Sequence, residues 1–149
     1  MRKQLFLTTC LITLTFVFIT ACQKDEAPPA KTKTELITQS SWKFDHATAG
    51  GIDISGSINA CFKDNIAAFV SAGTMTLDES ANICSPSYAG SYTWTFQTSE
   101  TILHLSAPIF PGGSGDFTIV SITETNLVLS QVMTVGGGPP TTVEVTFKH

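Results

Sequence analysis

The amino-acid sequence predicts an all-β fold, an eight-stranded antiparallel up-and-down barrel with a short N-terminal helix. Apolar and polar residues alternate with a period of two through most of residues 41–148, which is typical of strands with one buried and one solvated face. The chain is also acidic and rich in threonine. A closed antiparallel barrel fits such strands because it leaves no sheet edge exposed.

The first 21 residues have the organisation of a secretory signal peptide. Arg2 and Lys3 precede residues 5–21, which carry no charge and end in small side chains. A membrane-spanning helix and an ordinary cleaved signal without lipidation are the alternatives. The helix fits the length only marginally, because a span usually needs about 20 apolar residues.

Residues 19–22, Ile-Thr-Ala-Cys, resemble the lipobox of bacterial lipoproteins. The resemblance implies cleavage before Cys22, acylation of this cysteine by a diacylglycerol thioether and an N-acyl chain, and attachment to the outer membrane. Several acyl chains anchor a protein more firmly than one, since each buried methylene contributes about 0.8 kcal/mol.

The residues that follow Cys22 are similar to the surface-export tag of some Gram-negative bacteria, a lysine-plus-acid cluster placed directly after the lipidated cysteine. The resemblance implies display on the cell surface. The alternative is a periplasm-facing anchor, in which Lys24, Asp25 and Glu26 only solvate the start of a linker.

Charge argues against nucleic acid as a partner. Removal of residues 1–21 takes Arg2 and Lys3 from the 8 basic residues of the whole chain. The remaining 6, none of them arginine, face 12 acidic residues, which gives a net charge of −6. Phosphate contacts need clustered Lys and Arg. The length fits one domain over residues 34–149, and we expect a monomer.

A tether and a helix precede the barrel. Two prolines and scattered charges predict that residues 22–33 form an extended linker of about 35 Å. Thr32 and Glu35 stand at the spacing of a capping box, with Leu36 and Ile37 behind them. A short helix is therefore predicted to begin there.

Eight strands are predicted after this helix. Alternation is clearest around Trp42, around Trp94 and before Phe147. The predicted strands cover about residues 41–48, 66–70, 74–79, 90–97, 101–106, 116–122, 126–134 and 141–148.

Several segments resemble, in order and spacing, the lipocalin-like domains common among bacterial lipoproteins. They are SWKF after the helix, CFKDNIAAFVSAGTMTLDE, GSYTWTF, TILHLS and FTIVSITETNLVLS. The resemblance implies a lipocalin-like barrel over about residues 34–148. The chain departs from the family pattern at Ser40, where lipocalins have Gly, and at Asn65, which replaces the second acid of a Cys-x-x-Asp-Asp pattern. The mature chain also lacks the Arg that packs on the Trp of the first strand.

Loop lengths predict which end of the barrel is functional. The connections between strands two and three, four and five, and six and seven are short, and the other four are long. Successive connections of an up-and-down barrel alternate between its two ends, so all long loops fall at one end. We expect the working face there, pointing away from the membrane, and the helix at the opposite end as a plug.

Two cysteines remain for the mature domain. Cys10 is lost with the signal and Cys22 is acylated, whereas Cys61 and Cys84 lie in long loops of the same end. An oxidising compartment favours a disulfide between them, which would be worth about 3 kcal/mol in the chain-entropy model. A metal site is the alternative, but no further Cys or His lies within ten residues of either cysteine.

Catalytic and cofactor signals are weak, and we predict no enzyme activity, metal or cofactor. No Gly-x-Ser-x-Gly turn occurs, and the GGSG and GGGPP segments carry no lysine of a phosphate loop. His46 falls on the predicted apolar face of strand one, His104 on a polar face and His149 at a frayed terminus. One buried and two exposed histidines are expected, not a ligand set.

The sequence leaves two binding functions open, with an enzyme as a third and least favoured class because no acid-base or nucleophile set can be assembled. The first is binding of a small apolar or amphipathic ligand at the long-loop end, and the second is binding or inhibition of a protein partner through the same loops. The candidate contact residues are Phe62, Tyr88, Trp94, Ile109 and Phe110. A cavity of several hundred cubic ångströms favours the ligand, and an interior filled by side chains favours the partner.

Overall fold

The computed structural model describes residues 29–134 and 138–149. The predicted signal peptide, Cys10, Cys22 and most of the tether lie outside these residues. In the described part of the chain, no helix is long and apolar enough to cross a membrane.

The described residues form two short helices, one 3₁₀ turn and nine strands. Helix α1 spans Lys33–Thr38, the 3₁₀ turn Ser55–Ser57 and helix α2 Ala60–Lys63. Strands β1 to β9 span, in order, Trp42–Ala49, Ile52–Asp53, Ile66–Val70, Thr74–Asp78, Gly90–Gln97, Ile102–Leu105, Asp116–Ile122, Asn126–Met133 and Thr141–Lys148.

Eight of these strands close into an antiparallel barrel. The sheet runs β1-β3-β4-β5-β6-β7-β8-β9, and β9 pairs back onto β1. The short strand β2 pairs with the end of β1 and lies outside this circle. The predicted fold is confirmed, and the eight predicted strands end within one residue of the observed ones. The sequence did not predict β2, the 3₁₀ turn or α2.

The predicted capping box starts helix α1. The Thr32 side chain accepts a hydrogen bond from the Glu35 backbone N–H, and the Glu35 carboxylate accepts from the Thr32 N–H at 2.7 Å. Ile37 is fully buried, and its carbonyl oxygen accepts a hydrogen bond from the Trp42 indole at 2.8 Å. The helix is therefore fastened to the first turn of β1.

Helix α1 lies at the end of the barrel that carries the short turns. Lys31 pairs with the Glu124 carboxylate at 2.9 Å, and Lys33 donates to the Glu100 carbonyl oxygen. Glu100 and Glu124 belong to the β5–β6 and β7–β8 turns. His149 stacks on Trp42 with ring centroids 3.9 Å apart, so it is not frayed.

A β-bulge at Asp45 corrects one prediction. Phe44 pairs with Phe147, but the next pair is His46 with Thr146, so Asp45 is an extra residue in β1. The alternation therefore shifts by one position, and His46 faces solvent with 47% of its side chain exposed. The prediction that His46 is buried is wrong, because a sequence period cannot show an inserted residue.

The barrel interior is filled mainly by apolar side chains that alternate with polar ones along each strand. This is the packing that period-two patterns predict for a closed barrel. The largest fully buried residues are Ile37, Trp42, Met75, Leu103, Leu105, Leu127 and Val143.

Replacing Gly115 with Ala should destabilise the protein by about 1–3 kcal/mol, because the added methyl would overlap the Leu105 carbonyl oxygen. Gly56→Ala is the control, since no described atom lies within 4 Å of its added Cβ. Urea denaturation measures both variants. Equal stabilities would show that the β6–β7 loop moves away from Leu105 at no cost.

Candidate functional site

The long connection between β1 and β3 folds over the long-loop end of the barrel. It forms β2, the 3₁₀ turn and helix α2, which is capped by Asn59 through a 3.2 Å hydrogen bond to the Cys61 N–H. Cys61 forms a disulfide with Cys84 in the β4–β5 loop. The predicted disulfide is confirmed, and it joins two loops of the same end.

Asp64 makes a second tie between these two loops. Its Oδ2 accepts hydrogen bonds from the backbone N–H groups of Ala81 and Asn82 at 3.2 and 3.0 Å, and from the Asn82 side chain at 2.7 Å. Burial opposes ionisation of Asp64, but these hydrogen bonds together lower its pKa below 3.8. The carboxylate thus holds the β4–β5 loop beside the disulfide.

Glu79 organises the rest of the β4–β5 loop from within. It is only 3% exposed, and its carboxylate accepts hydrogen bonds from the Tyr88 N–H and the Ser87 hydroxyl, both at 2.7 Å. The bond from Tyr88 is the main cause that lowers the pKa of Glu79 below 4.5, against the opposing effect of burial. The ionised form is therefore part of the folded loop.

The β6–β7 loop is held by Gln131 on the inner face of β8. The Gln131 amide donates to the carbonyl oxygens of Ser114 and Asp116 at 3.1 and 2.6 Å, and it accepts from the Ser114 N–H at 3.1 Å. Each end of the side-chain amide is thus paired. This loop carries Ile109 and Phe110, which the sequence singled out.

Aromatic rings converge where these loops meet. The Phe62 ring lies 5.7 Å from the rings of both Tyr88 and Phe110, and Phe110 packs edge-on against Phe117 at 6.0 Å. Ile109 is buried in the barrel core. Four of the five candidate residues therefore belong to this end, where Ile109 and Phe110 fold inward over the mouth.

A cavity of about 270 Å³ lies among these loops, which we call the mouth cavity. It extends between α2, the β6–β7 loop and the inner faces of β1, β8 and β9. Its main apolar walls are Phe44, Ile58, Phe62, Phe110, Val145 and Phe147.

A smaller cavity of about 40 Å³ lies inside the barrel, which we call the interior cavity. Phe62, Phe110 and Phe147 line both cavities and stand between them. Asn65 lines the interior cavity; it is 9% exposed, and its Oδ1 has no hydrogen-bond partner among the described residues. The barrel is thus largely filled, and most of its free volume is at the mouth.

Trp94 stands apart from the other candidates. It lines neither the mouth cavity nor the interior cavity, and its Nε1 donates to the Val70 carbonyl oxygen at 3.0 Å, beside the short β3–β4 turn. Its ring packs against Phe69 and Phe96. We therefore leave Trp94 out of the proposed site.

Sequence reasoning missed three buried polar residues at the long-loop ends of strands: Asn65, Glu79 and Gln131. The missed signal is positional. Each continues the inward-facing series of a strand at its long-loop end, as Gln131 does after Leu127 and Leu129. A polar side chain in an inward-facing position destabilises the folded protein unless it forms a hydrogen bond there.

No group of three or more possible metal ligands occurs among the described residues. His46 lies 2.7 Å from the Asp45 carboxylate and 3.4 Å from the Thr146 hydroxyl, an arrangement that resembles a hydrolase triad. These side chains lie on the outer face of the barrel and line none of the described cavities. A catalytic reading would need a pocket for substrate beside them.

Replacing Glu79 with Gln should lower the melting temperature at pH 7 by several degrees. The glutamine side chain has only one acceptor oxygen, so it cannot accept hydrogen bonds from both Ser87 and Tyr88. The pKa of Glu79 is lowered from 4.5, so its ionisation stabilises the fold above about pH 4.5 and loses this effect as the pH falls. The difference from wild type should therefore shrink between pH 5 and pH 3. Thermal scans across this range test the sign, with exposed Glu144→Gln as the control. A difference that is independent of pH would refute the assignment.

Comparison with known proteins does not assign the chain to a family. No family model matches the sequence, and no match is found among curated proteins. The cavities and the residues that line them therefore carry the functional argument.

Proposed function

We propose that the chain is a lipocalin-like lipoprotein that binds a small apolar or amphipathic molecule in the mouth cavity. The volume of this cavity carries the proposal. At about 270 Å³ it is close to the lower end of small-molecule pockets, which begin at about 300 Å³ and are mostly apolar. Its position among the long loops also fits, because the mouths of β-barrels are common places for small-molecule sites.

The construction of the mouth supports this proposal. The Cys61–Cys84 disulfide and the Asp64 hydrogen bonds fix two of its loops to each other, and Gln131 fixes a third to the barrel wall. A pocket whose walls are already in place loses less conformational entropy when a ligand binds.

A protein partner is the second candidate function. Two observations favour it: most of the barrel interior is filled by side chains, and two isoleucines of the long loops are strongly exposed. Ile52 is 71% exposed and Ile83 is 74% exposed. Exposed apolar residues at one end of a barrel are compatible with a contact surface for another protein.

Native mass spectrometry separates the two candidates. Residues 22–149 with Cys22→Ser, exported to the periplasm of the native host by a non-lipoprotein signal peptide, should carry a discrete extra mass that is lost on denaturation. Val145→Trp should abolish the extra mass by filling the mouth cavity. Val132→Trp is the control, because Val132 is 61% exposed. Bare wild-type protein would instead favour the protein partner.

We further propose that acyl chains on Cys22 attach the protein to the outer membrane, with the lysine-plus-acid cluster directing it to the cell surface. The support is the resemblance of residues 19–26 to a lipobox followed by an export tag. The periplasm-facing orientation is the alternative.

Labelling with radioactive palmitate tests the anchor. Cys22→Ala should abolish incorporation of label, and Cys10→Ala should retain it because Cys10 lies in the cleaved signal. Protease treatment of intact cells then tests the orientation. Complete protection would place the barrel in the periplasm, and label on Cys22→Ala would reject the lipobox.

A further inference from the structure

Asn65 is the most unusual side chain of the interior cavity. It precedes β3 on the inward-facing side of the strand, in series with Ala67 and Phe69. It is more than nine-tenths buried, and its Oδ1 is buried without a hydrogen-bond partner among the described residues. Such a group destabilises the folded protein unless a bound molecule pairs with it.

One water molecule is a poor candidate for this partner. The cavity has room for it, but a buried water needs two to four polar neighbours. Among the described residues that line the cavity, the other polar side-chain group is the Trp42 indole, which already donates to Ile37. A group that belongs to a larger ligand needs fewer polar contacts, because its remaining part is held elsewhere.

The walls also argue against a charged group inside the two cavities. None of the described residues that line the mouth or the interior cavity has an ionisable side chain. A carboxylate or an ammonium group in this apolar environment would lose its hydration without gaining a counter-charge. The polar group that reaches Asn65 must therefore be uncharged.

We infer that the ligand is an uncharged amphiphile with a hydroxyl or amide group, and that this group hydrogen-bonds Asn65 while its apolar part fills the mouth cavity. This inference rests on the proposed function. A hydroxyl or an amide can donate a hydrogen bond to the unpaired Oδ1 of Asn65, which an ether or an ester cannot do. Phe62 and Phe110, which line both cavities, are the residues it passes.

Three probes of equal chain size test the chemistry. They are 1-octanol, its isomer heptyl methyl ether, which cannot donate a hydrogen bond, and octanoate at pH 8, which is anionic. Calorimetric titration of residues 22–149 carrying Cys22→Ser should show 1-octanol binding about tenfold more tightly than either of the others, the worth of one hydrogen bond to an otherwise unpaired buried group.

Asn65→Leu should remove this preference. The substitution should weaken the binding of 1-octanol about tenfold and leave the binding of the ether unchanged or tighter. Without ligand, its melting temperature should rise by roughly 3–6 °C, since a buried amide oxygen without a partner is removed. Asn126→Leu is the matched control, because Asn126 Oδ1 is also buried without a described partner but Asn126 lines none of the described cavities.

The outcomes separate this inference from the proposed function. An octanol-to-ether ratio that Asn65→Leu does not change, or tightest binding of octanoate, would overturn the role of Asn65 and leave the mouth cavity as a binding site. Failure of every probe would also overturn the inference, and the mass measurement on the native cargo would then decide the proposed function on its own.

Discussion

Closure of the sheet by β1 and β9 is the constraint on which the rest of the structure depends. Six residue pairs join these strands, from Lys43–Lys148 to Ala49–Val143. Because the circle is closed, the inward faces of all eight barrel strands share one core, and only the two ends remain to be covered. The Asp45 bulge keeps the strands paired while one residue is added to β1.

The two ends are covered by different means. Helix α1 and His149 pack at the short-turn end, where buried Ile37 and stacked Trp42 hold them. The long-loop end is covered by segments joined through a disulfide and buried polar groups, which leave a cavity between them. Packed side chains and hydrogen bonds thus close the short-turn end, whereas the segments of the long-loop end are joined in a way that leaves space between them.

The sequence predicted the strands well because each strand has one buried face. The alternation of apolar and polar residues with a period of two shows directly which residues belong to that face. It failed at His46, since one bulged residue reverses the pattern locally. Helix α2 was missed because a helix of four residues is too short to be stable on its own or to show a helical period in the sequence. The cavities arise only when separate loops meet. For the same reason Trp94, chosen for its residue type, lies away from them.

Both ends of the barrel chain emerge on the same side. Lys31 pairs with Glu124 in the β7–β8 turn, and the His149 ring lies within hydrogen-bonding distance of the Ser41 carbonyl oxygen. Either end of the barrel chain can therefore carry an anchor, a tag or a fused domain without obstructing the opposite opening. The loops of that opening can then change in length and sequence while attachment is preserved. This separation makes the fold a scaffold on which new specificities could evolve, or be selected in the laboratory by loop libraries displayed from a surface.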